Sequence, residues 1–322
     1  MAGNTSFSTL ITTTLQNLPG DVFDAVVTNN ALLNVLKKAG NIKIVSGGRQ
    51  FTHPVFHRAN STFAARGRLD TVDLSLQDNL TRAVYDIKII DGAVVLSDLD
   101  VAMNAGDKEK LIDLAEELKT EAEVSMSEIM GDQIFNTSAG ANDLDGIPRL
   151  INTVPTSQSD VGGIDSSGSA QAYWRNYVYT TAVAAFGTTQ AGLNAMSTTL
   201  NSTTYGRQGP TVIITTKAIY TLYELALTAN VRYTQMETGE GTFRNLMFNT
   251  LPVYFDDNAP ANRMYFIDTN SLRLQVLSQG NMKATKFMHT QDQLTESMLM
   301  YIFCNLTLGS RRTQGVISSI TG

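Results

Sequence analysis

The sequence predicts an α+β fold, and three features support that prediction. Apolar and polar side chains alternate between residues 41 and 100, which is the period of half-buried strands. Residues 107–135 then repeat apolar side chains every three or four positions, which is the period of an amphipathic helix. Short strand patterns return between 252 and 308. A chain with these segments combines sheets with at least one long helix.

Composition limits the function classes. The 322 residues (35.0 kDa) suffice for one large domain or two medium ones, each with a hydrophobic core. The chain is 43% hydrophobic and 17% charged, which argues against intrinsic disorder. Its net charge of −6 is scattered, without a basic tail, which argues against a role that depends on neutralising phosphates. The single cysteine, Cys304, rules out an internal disulfide framework, and its apolar neighbours predict a buried side chain.

The N-terminal residues predict an arm followed by a helix. Residues 1–20 are rich in Ser, Thr and Asn, which is the composition of an extended arm. Asp21 is a suitable N-cap for a helix that Gly40 closes. The start of the chain has no secretion signal pattern, and no apolar run approaches the roughly 20 residues of a membrane span. We therefore expect a protein made in the cytoplasm, with no membrane partner.

Residues 41–100 predict a long hairpin and its base strands. The strand patterns are Ile42/Ile44, Phe51/His53/Val55, Val72/Leu74/Leu76, Tyr85/Ile87/Ile89 and Val94-Val95-Leu96. The segment 58–71 in the middle is polar and carries three arginines. Because an isolated hairpin is marginally stable in water, this one is expected to need a partner surface.

The strongest helix pattern follows at 107–135, with Asp107 as its expected N-cap. Its apolar face consists of Leu111, Ala115, Leu118, Ala122, Met126 and Ile129, with Glu and Lys on the opposite face. At 1.5 Å per residue such a helix is about 40 Å long. This length exceeds that of a typical globular helix and suggests a spine along an elongated body.

The rest of the chain mixes short helices with strands. A loop at 136–169 precedes a helix at 170–186, a short helix around 193–200, a strand at 211–215, a helix capped by Thr216, a polar loop at 230–245, and strands at 252–256, 264–268, 272–277, 282–288 and 298–308. The last strand is apolar on both faces where it begins. This pattern predicts a position in the middle of a sheet.

Several local motifs punctuate this order of elements. They are Gly131-Asp-Gln-Ile-Phe followed by Leu144-Asp-Gly-Ile-Pro-Arg-Leu-Ile, Tyr173-Trp-Arg-Asn, Gly209-Pro-Thr-Val-Ile-Ile-Thr, Leu251-Pro-Val-Tyr-Phe, Ala259-Pro-Ala-Asn-Arg-Met-Tyr-Phe-Ile-Asp and Gln291-Asp-Gln. With the order of elements, they resemble the major capsid protein of tailed double-stranded DNA bacteriophages. That family has the Hong Kong 97 type capsid fold, which it shares with encapsulin shells.

The resemblance implies a division of the chain. It implies an N-terminal arm and helix at 1–40, an E-loop hairpin with base strands at 41–100, a peripheral domain at 101–186 with the spine helix 107–135, an axial domain at 187–280, and return strands of both domains at 281–322.

The resemblance also implies a function. The chain would be a structural capsid subunit, not an enzyme, that assembles with itself as hexamers and pentamers into an icosahedral head. The head would enclose double-stranded DNA without sequence-specific binding, and it would be assembled in the host cytoplasm. Portal and scaffold proteins, and a possible cement protein, are the implied further partners. Two alternatives stay open: an encapsulin-like compartment that holds cargo enzymes, and a cytoplasmic ligand-binding or hydrolytic protein.

No catalytic, cofactor or metal site is predicted. Gly-x-Ser-x-Gly, Gly-x-Gly-x-x-Gly and phosphate-loop motifs are absent. On a strand, His53 and His57 would lie about 13 Å apart, too far to share one metal ion, and both are expected to be polar hairpin residues. His289 is expected to be an isolated turn residue.

Two acidic segments and one Met-rich segment also have ordinary explanations. The sequence Asp143-Leu-Asp145-Gly146 resembles part of a calcium loop, but the pattern fails at both ends. Asp256-Asp257-Asn258 is expected to be a solvated turn, and the run Met298–Met300 to be core.

The candidate inter-subunit contacts lie on the polar segment of the hairpin. They are Arg58, Arg66, Arg68 and Asp70. A guanidinium group binds carboxylates with two hydrogen bonds and tolerates partial burial, so we expect Arg–carboxylate pairs with a neighbouring subunit. The alternative is a solvated loop.

A covalent cross-link between subunits is not expected. Some members of this family join a hairpin Lys to an Asn of a neighbour, with a Glu nearby to accept the proton. No lysine occurs between Lys43 and Lys88, and the positions where the Asn and Glu would be sought read Ser297 and Asn305. Arginine cannot replace the lysine, because it stays protonated.

Overall fold

The computed structural model describes residues 24–27, 30–99, 108–137, 140–157, 160–187, 190–228, 246–286, 288–289 and 294–321, except the side chains of 108–117 and 119. The predicted arm at 1–20, the N-cap Asp107 and the loop at 230–245 lie outside the described residues. Within the described residues, no helix is both long enough and apolar enough to cross a membrane.

The helices agree with most of the predicted ones. They are α1 (Ala31–Lys38), α2 (Lys108–Phe135), the one-turn α3 (Ile147–Leu150), α4 (Ala191–Thr203) and α5 (Lys217–Thr228), with 3-10 helices at Ser169–Trp174 and Ser278–Gly280. The long helix α2 has 28 residues and spans about 42 Å at 1.5 Å per residue. Its predicted length is therefore confirmed.

The strands form two six-stranded sheets and one hairpin. They are β1 (Ile42–Val45), β2 (Gln50–Phe56), β3 (Leu80–Asp86), β4 (Lys88–Ser97), β5 (Tyr177–Tyr179), β6 (Val212–Thr215), β7 (Leu246–Phe248), β8 (Leu251–Phe255), β9 (Met264–Ile267), β10 (Leu272–Leu277), β11 (Lys283–Ala284), β12 (Met288–His289), β13 (Thr295–Leu308) and β14 (Gly315–Ile317).

The first sheet is built around the 14-residue strand β13. β4 pairs with it along one edge over residues 295–304, and β10, β11 and β12 pair with successive parts of the other edge. β1 extends the sheet beyond β10. β13 therefore lies in the middle of a sheet, as its apolar sequence predicts.

The second sheet has the strand order β5-β14-β9-β6-β8-β7. β6 and β9 lie at its centre, and all of their eight residues except Thr215 are large and apolar; each is buried. Helices α4 and α5 contact this sheet. β2 and β3 pair only with each other, so they form a separate antiparallel hairpin.

Two hydrophobic clusters hold the described part of the chain together. The first joins α1, α2, the first sheet and the base of the hairpin, and includes Leu36, Tyr85, Met130, Ile134, Leu274 and Leu306. The second lies between the second sheet and helices α4 and α5, and includes Phe186, Met196, Tyr223, Val253 and Phe266. The first cluster also includes residues of β6, β9 and β14, so its burial stabilises the contact between the two sheets.

The predicted continuous helix at 21–40 is wrong at Asn30. This residue has an extended backbone (φ −94°, ψ 122°), and it separates a helical turn at 24–27 from α1. Its buried side chain donates a hydrogen bond to the carbonyl of Ser127 on α2, at 3.4 Å. A contact with a distant element thus overrides the local helical pattern, and Asn is a weak helix former.

The predicted helix at 170–186 is also wrong. The segment forms a 3-10 helix and then β5, which pairs in parallel with β14. Asn176, between them, donates a hydrogen bond of 2.7 Å from Nδ2 to the carbonyl of Asn152. Pairing with a strand 138 residues away therefore outweighs the helical spacing of the aromatic residues. The strand predicted at 282–288 is divided into the short β11 and β12.

Candidate assembly surface

The hairpin base is anchored in the first hydrophobic cluster. Burial alternates strictly along β2, where Phe51, His53 and Val55 point inward. Ala83 and Tyr85 of β3 are buried on the same side. This alternation is what the period-two sequence predicts. It determines which face of the hairpin base is buried.

His53 is a buried core residue, not the polar hairpin residue that the sequence predicts. Its Nε2 lies 2.9 Å from Thr307 Oγ1 and 3.0 Å from the amide nitrogen of Gln275. An amide nitrogen can only donate, so His53 Nε2 accepts and the ring is neutral. Burial, with the positive charge of Arg273, lowers the pKa of His53 to about 4.

Two further contacts join the hairpin to the end of β13 and to the loop after α3. The hydroxyl of Tyr85 donates to the carbonyl of Leu308 at 2.9 Å, and the amide of Val84 donates to the carbonyl of Gly162 at 2.8 Å. Gly162 has φ +63°, and a Cβ there would lie 3.0 Å from Ala83 Cβ and from Tyr85 Cζ. Only glycine permits this close approach without strain.

Residues 57–79, which we call the hairpin loop, continue the hairpin without strand pairing. Local hydrogen bonds shape this loop. Ser61 Oγ donates to Gln77 Oε1 across the two limbs at 3.0 Å, and Arg66 donates to the carbonyl of Thr62 at 2.7 Å. Irregular segments of this length in a compact domain are usually functional.

The hairpin loop and its flanks expose large apolar side chains. Twenty such side chains are exposed in the described residues, and seven of them lie between 56 and 80: Phe56, Phe63, Leu69, Val72, Leu74, Leu76 and Leu80. Phe63, Leu74 and Leu76 are 86%, 90% and 100% exposed. A concentration of this kind marks an interaction surface.

The predicted strand at Val72/Leu74/Leu76 is therefore wrong. Among the residues that the structure describes, these three have no strand partner, and all three are exposed. The alternation of apolar and polar side chains here predicts a half-buried strand. In the structure these apolar side chains do not pack against a hydrophobic core. The sequence gives no signal that distinguishes such a surface from a buried strand.

The four predicted contact residues lie on the same hairpin loop. Arg58, Arg68 and Asp70 are exposed, and Arg66 is half-buried by its bond to Thr62. Asp70 Oδ2 accepts a hydrogen bond from the amide of Gly67 at 2.5 Å. In the described residues no carboxylate lies within ion-pair distance of the three guanidinium groups. Their pairing with a neighbouring subunit stays a prediction.

A cleft lies beside the hairpin, between it and the end of the second sheet. Its walls include Phe56, His57, Tyr173, Tyr205 and Arg312. The rings of His57 and Tyr173 are 5.1 Å apart, and the guanidinium of Arg312 lies 3.7 Å above the ring of Tyr205. Cation–π and ring contacts of this kind stabilise the positions of the side chains that line the cleft. His57 is thus held against an aromatic ring, not in solvent.

Arg311, next to this cleft, is fully buried. It donates hydrogen bonds of 3.0 Å to the carbonyls of Leu150 and Trp174 and to Asn176 Oδ1. Burial lowers its pKa to about 10. The guanidinium thus ties the segments around 150 and 175 to the turn before β14. The sequence analysis did not single it out, because arginine is ordinarily exposed.

Asp143 and Asp145 take part in internal hydrogen bonds. Asp143 accepts from Gln133, Asn136 and the amide of Gly140. Asp145 accepts from Asn305 Nδ2 at 2.9 Å and pairs with Arg149 at 3.0 Å.

Other singled-out residues also have defined surroundings. Cys304 is buried as predicted, and burial raises the pKa of its thiol to about 12, so it is not a nucleophile. Asp256 is buried rather than solvated, and desolvation raises the pKa of its carboxyl. Met298 and Met300 are buried as predicted.

Asn305 is buried, and its side chain is fully engaged. Nδ2 donates to Asp145 Oδ2 and to the carbonyl of Asp86, and Oδ1 accepts from the amide of Asp145. Ser297 lies on β13 opposite Val95. His289 lies on β12 beside two carboxylates, so its assignment to an isolated turn is wrong.

Similarity to known proteins is found among solved structures. No protein-family model matches the chain, and no curated protein matches it. Among solved structures, the chain is similar to the capsid asymmetric unit of cyanophage A-1(L), with a TM-score of 0.63 and 16% identity over 89% of this chain and 93% of that one.

Two further structures share the fold. The holo-SrpI encapsulin complex from Synechococcus elongatus PCC 7942 has a TM-score of 0.56 and 9% identity over 88% of this chain and 87% of that one. The capsid of Myoviridae phage XM1 has a TM-score of 0.54 and 9% identity over 87% and 90%. The fold predicted from the sequence is therefore confirmed: the chain has the Hong Kong 97 type capsid fold.

Proposed function

We propose that the chain is the major capsid protein of a tailed phage. Copies of it assemble as hexamers and pentamers into an icosahedral head that encloses double-stranded DNA. The observation that carries this proposal is the hairpin loop, whose large apolar side chains are uncovered in the single chain. The fold shared with two phage capsid structures supports it. The proposal gives the chain a structural role and no enzymatic one.

A second exposed apolar surface lies on the first sheet. Ile89 and Val95 of β4 and Leu299 of β13 project from the same face, because Ile89 pairs with Phe303 and Val95 with Ser297. One chain thus has both a projecting apolar loop and a separate apolar face. Contacts between two different patches are head-to-tail, and they form a closed ring when the rotation between neighbouring subunits closes.

The two sheets support a division into two domains. In the proposal, the first sheet belongs to a peripheral domain with spine helix α2, and the second to an axial domain at the ring centre. The first hydrophobic cluster contains residues of both sheets and would join the two domains. The hairpin is the E-loop that reaches a neighbour. The boundaries at 40, 100, 186 and 280 belong to this proposal.

Partners other than the chain itself follow from the proposed role. The chain has a net charge of −6 and no basic tail. A shell built from it would enclose DNA without sequence-specific binding and without neutralising the phosphates. Portal and scaffold proteins, and a cement protein, are the further partners of such a head. Its location would be the virion, after assembly in the host cytoplasm.

An encapsulin-like compartment is the second candidate function. The similarity to the SrpI encapsulin supports it, because that structure shares the fold to nearly the same extent as the phage capsids. The two candidates differ in contents. Native particles that absorb strongly at 260 nm would favour a DNA-filled head, whereas particles containing only protein would favour the compartment.

The hairpin loop provides the test of self-assembly. We expect the triple variant Phe63→Ser/Leu74→Ser/Leu76→Ser to fold, because these side chains are exposed in the single chain. Burial of each is worth about 2 kcal/mol, so the variant should lose most closed particles in negative-stain microscopy and analytical ultracentrifugation. Circular dichroism checks the fold.

A matched control is Val154→Ser, which removes an exposed apolar side chain outside the hairpin. Its particle yield should equal that of the unmodified protein. Normal particle yield from the triple variant would contradict the proposal.

A further inference from the structure

Three side chains from three successive parts of the first sheet meet at one end of it, and one of them, Asp98, is far from the other two in the sequence. His289 on β12 lies directly opposite Glu296 on β13, and Leu96 on β4 lies opposite Glu296 from the other side. Asp98 follows β4, and its amide donates to the carbonyl of Leu294 at 3.1 Å. Strand pairing from both edges of β13 thus brings Asp98, His289 and Glu296 together.

The distances within this group are short. His289 Nδ1 lies 3.7 Å from Asp98 Oδ2, and His289 Nε2 lies 3.3 Å from Glu296 Oε1. One ligand atom from each residue lies within 4.8 Å of the others. The side chains of Asp98 and Glu296 are 31% and 19% exposed. Water therefore screens their charges only in part.

The group combines two carboxylates with one imidazole. Within the parts of the chain that the structure describes, no lysine or arginine lies within 4.0 Å of Asp98 or Glu296. Two half-buried carboxylates near each other repel, and a divalent cation between them removes that repulsion. A cation is therefore favoured at this position.

The donor atoms indicate the class of cation. One imidazole nitrogen with two carboxylate oxygens suits zinc, whereas magnesium and calcium prefer oxygen ligands alone. Zinc binds such ligands at about 2.0–2.2 Å, so the three donors must approach one another. His289 is 66% exposed, so its ring can rotate to present one nitrogen to an ion that both carboxylates reach.

We propose that Asp98, His289 and Glu296 form a zinc site. The ion joins β4 and β12 to opposite edges of β13 and closes this end of the first sheet, with water at the remaining coordination position. This site does not depend on the proposed function of the chain, because its ligands come from one subunit.

The test is zinc binding by the full-length protein without a histidine tag. After treatment with a chelator, isothermal titration calorimetry should give one zinc ion per chain, and magnesium should not compete. Zinc should raise Tm. His289→Asn and Glu296→Gln should each weaken binding by at least about tenfold, since even outer-shell changes cost that much.

The matched control is His57→Asn, which removes a histidine beside the cleft and should bind zinc like the unmodified protein. Absence of zinc binding, or equal binding in all variants, would overturn the proposal. So would a protein that gives no heat with zinc and whose Tm zinc leaves unchanged.

Discussion

At the scale of single residues, buried polar side chains connect distant parts of the chain. Arg311 holds two loop segments through three short hydrogen bonds to oxygen atoms. His53 joins the hairpin to β10 and β13 through Gln275 and Thr307. A buried polar group is stable only while these partners remain, so such residues specify one arrangement of the elements.

The neutral state of His53 predicts a pH dependence. The pKa is about 4 in the folded chain and 6.5 for an ordinary histidine. Between pH 6.5 and 4 the unfolded chain therefore binds a proton that the folded chain does not. The free energy of unfolding should fall by about 3 kcal/mol as the pH is lowered through this window, and it should be unaffected by this group above pH 6.5.

Urea unfolding of His53→Gln and of the unmodified protein at several pH values measures this contribution. The difference in unfolding free energy between the two proteins should shrink as the pH falls from 6.5 to 4. His57→Asn is the control, because it removes a histidine outside the hydrophobic cluster. A difference that stays constant with pH would show that His53 is not held neutral.

At the scale of elements, the hairpin combines a buried base with an uncovered loop. The base alternates between buried and exposed positions, whereas residues 57–79 have no strand pairing. Arg58, Arg66 and Arg68 lie among the exposed apolar side chains of this loop. In interfaces, apolar anchors supply most of the affinity and charged groups at the rim supply orientation.

Charge reversal tests the role of the arginines. We expect Arg66→Glu/Arg68→Glu to leave the monomer folded but to impair closed shells, because carboxylates of a neighbour would then face like charges. Particle yield by ultracentrifugation is the measurement. Lys38→Glu, on the exposed end of α1, is the matched control and should assemble normally. An undiminished yield from the double variant would mean that the arginines are only solvated.

At the scale of the whole molecule, the proposed shell contacts come from exposed surfaces, the hairpin loop and one face of the first sheet, and involve no covalent link. The hairpin contains no lysine between Lys43 and Lys88, so it has no amine to attack a neighbour. Asn305 is buried, and its amide is bonded to Asp145 and Asp86. It is therefore inaccessible as an acceptor from another subunit.

Non-covalent assembly predicts a simple gel pattern. Mature particles boiled in denaturant with reducing agent should run as a single band near 35 kDa. Isolated monomers of the same protein are the size control. A ladder of multimers that survives this treatment would show that the subunits are cross-linked.

Local sequence patterns were enough to predict the long helix and the central strand. The three- and four-residue period of 108–135 gives a helix, and the doubly apolar run around Cys304 gives a strand in mid-sheet. These features depend on local periodicity. The predicted apolar face of α2 is wrong at Ile129, which is 39% exposed, whereas Leu118 and Met126 are buried as predicted. The order of elements and motifs was sufficient to indicate the fold.

Contacts between distant residues could not be predicted from local patterns. The break at Asn30 depends on α2, and the strand at 177–179 depends on β14. His289 approaches Asp98, which lies nearly two hundred positions earlier, because both flank β13. Periodicity cannot encode such contacts, since the pairing energy comes from another part of the chain and exceeds the weak local preference.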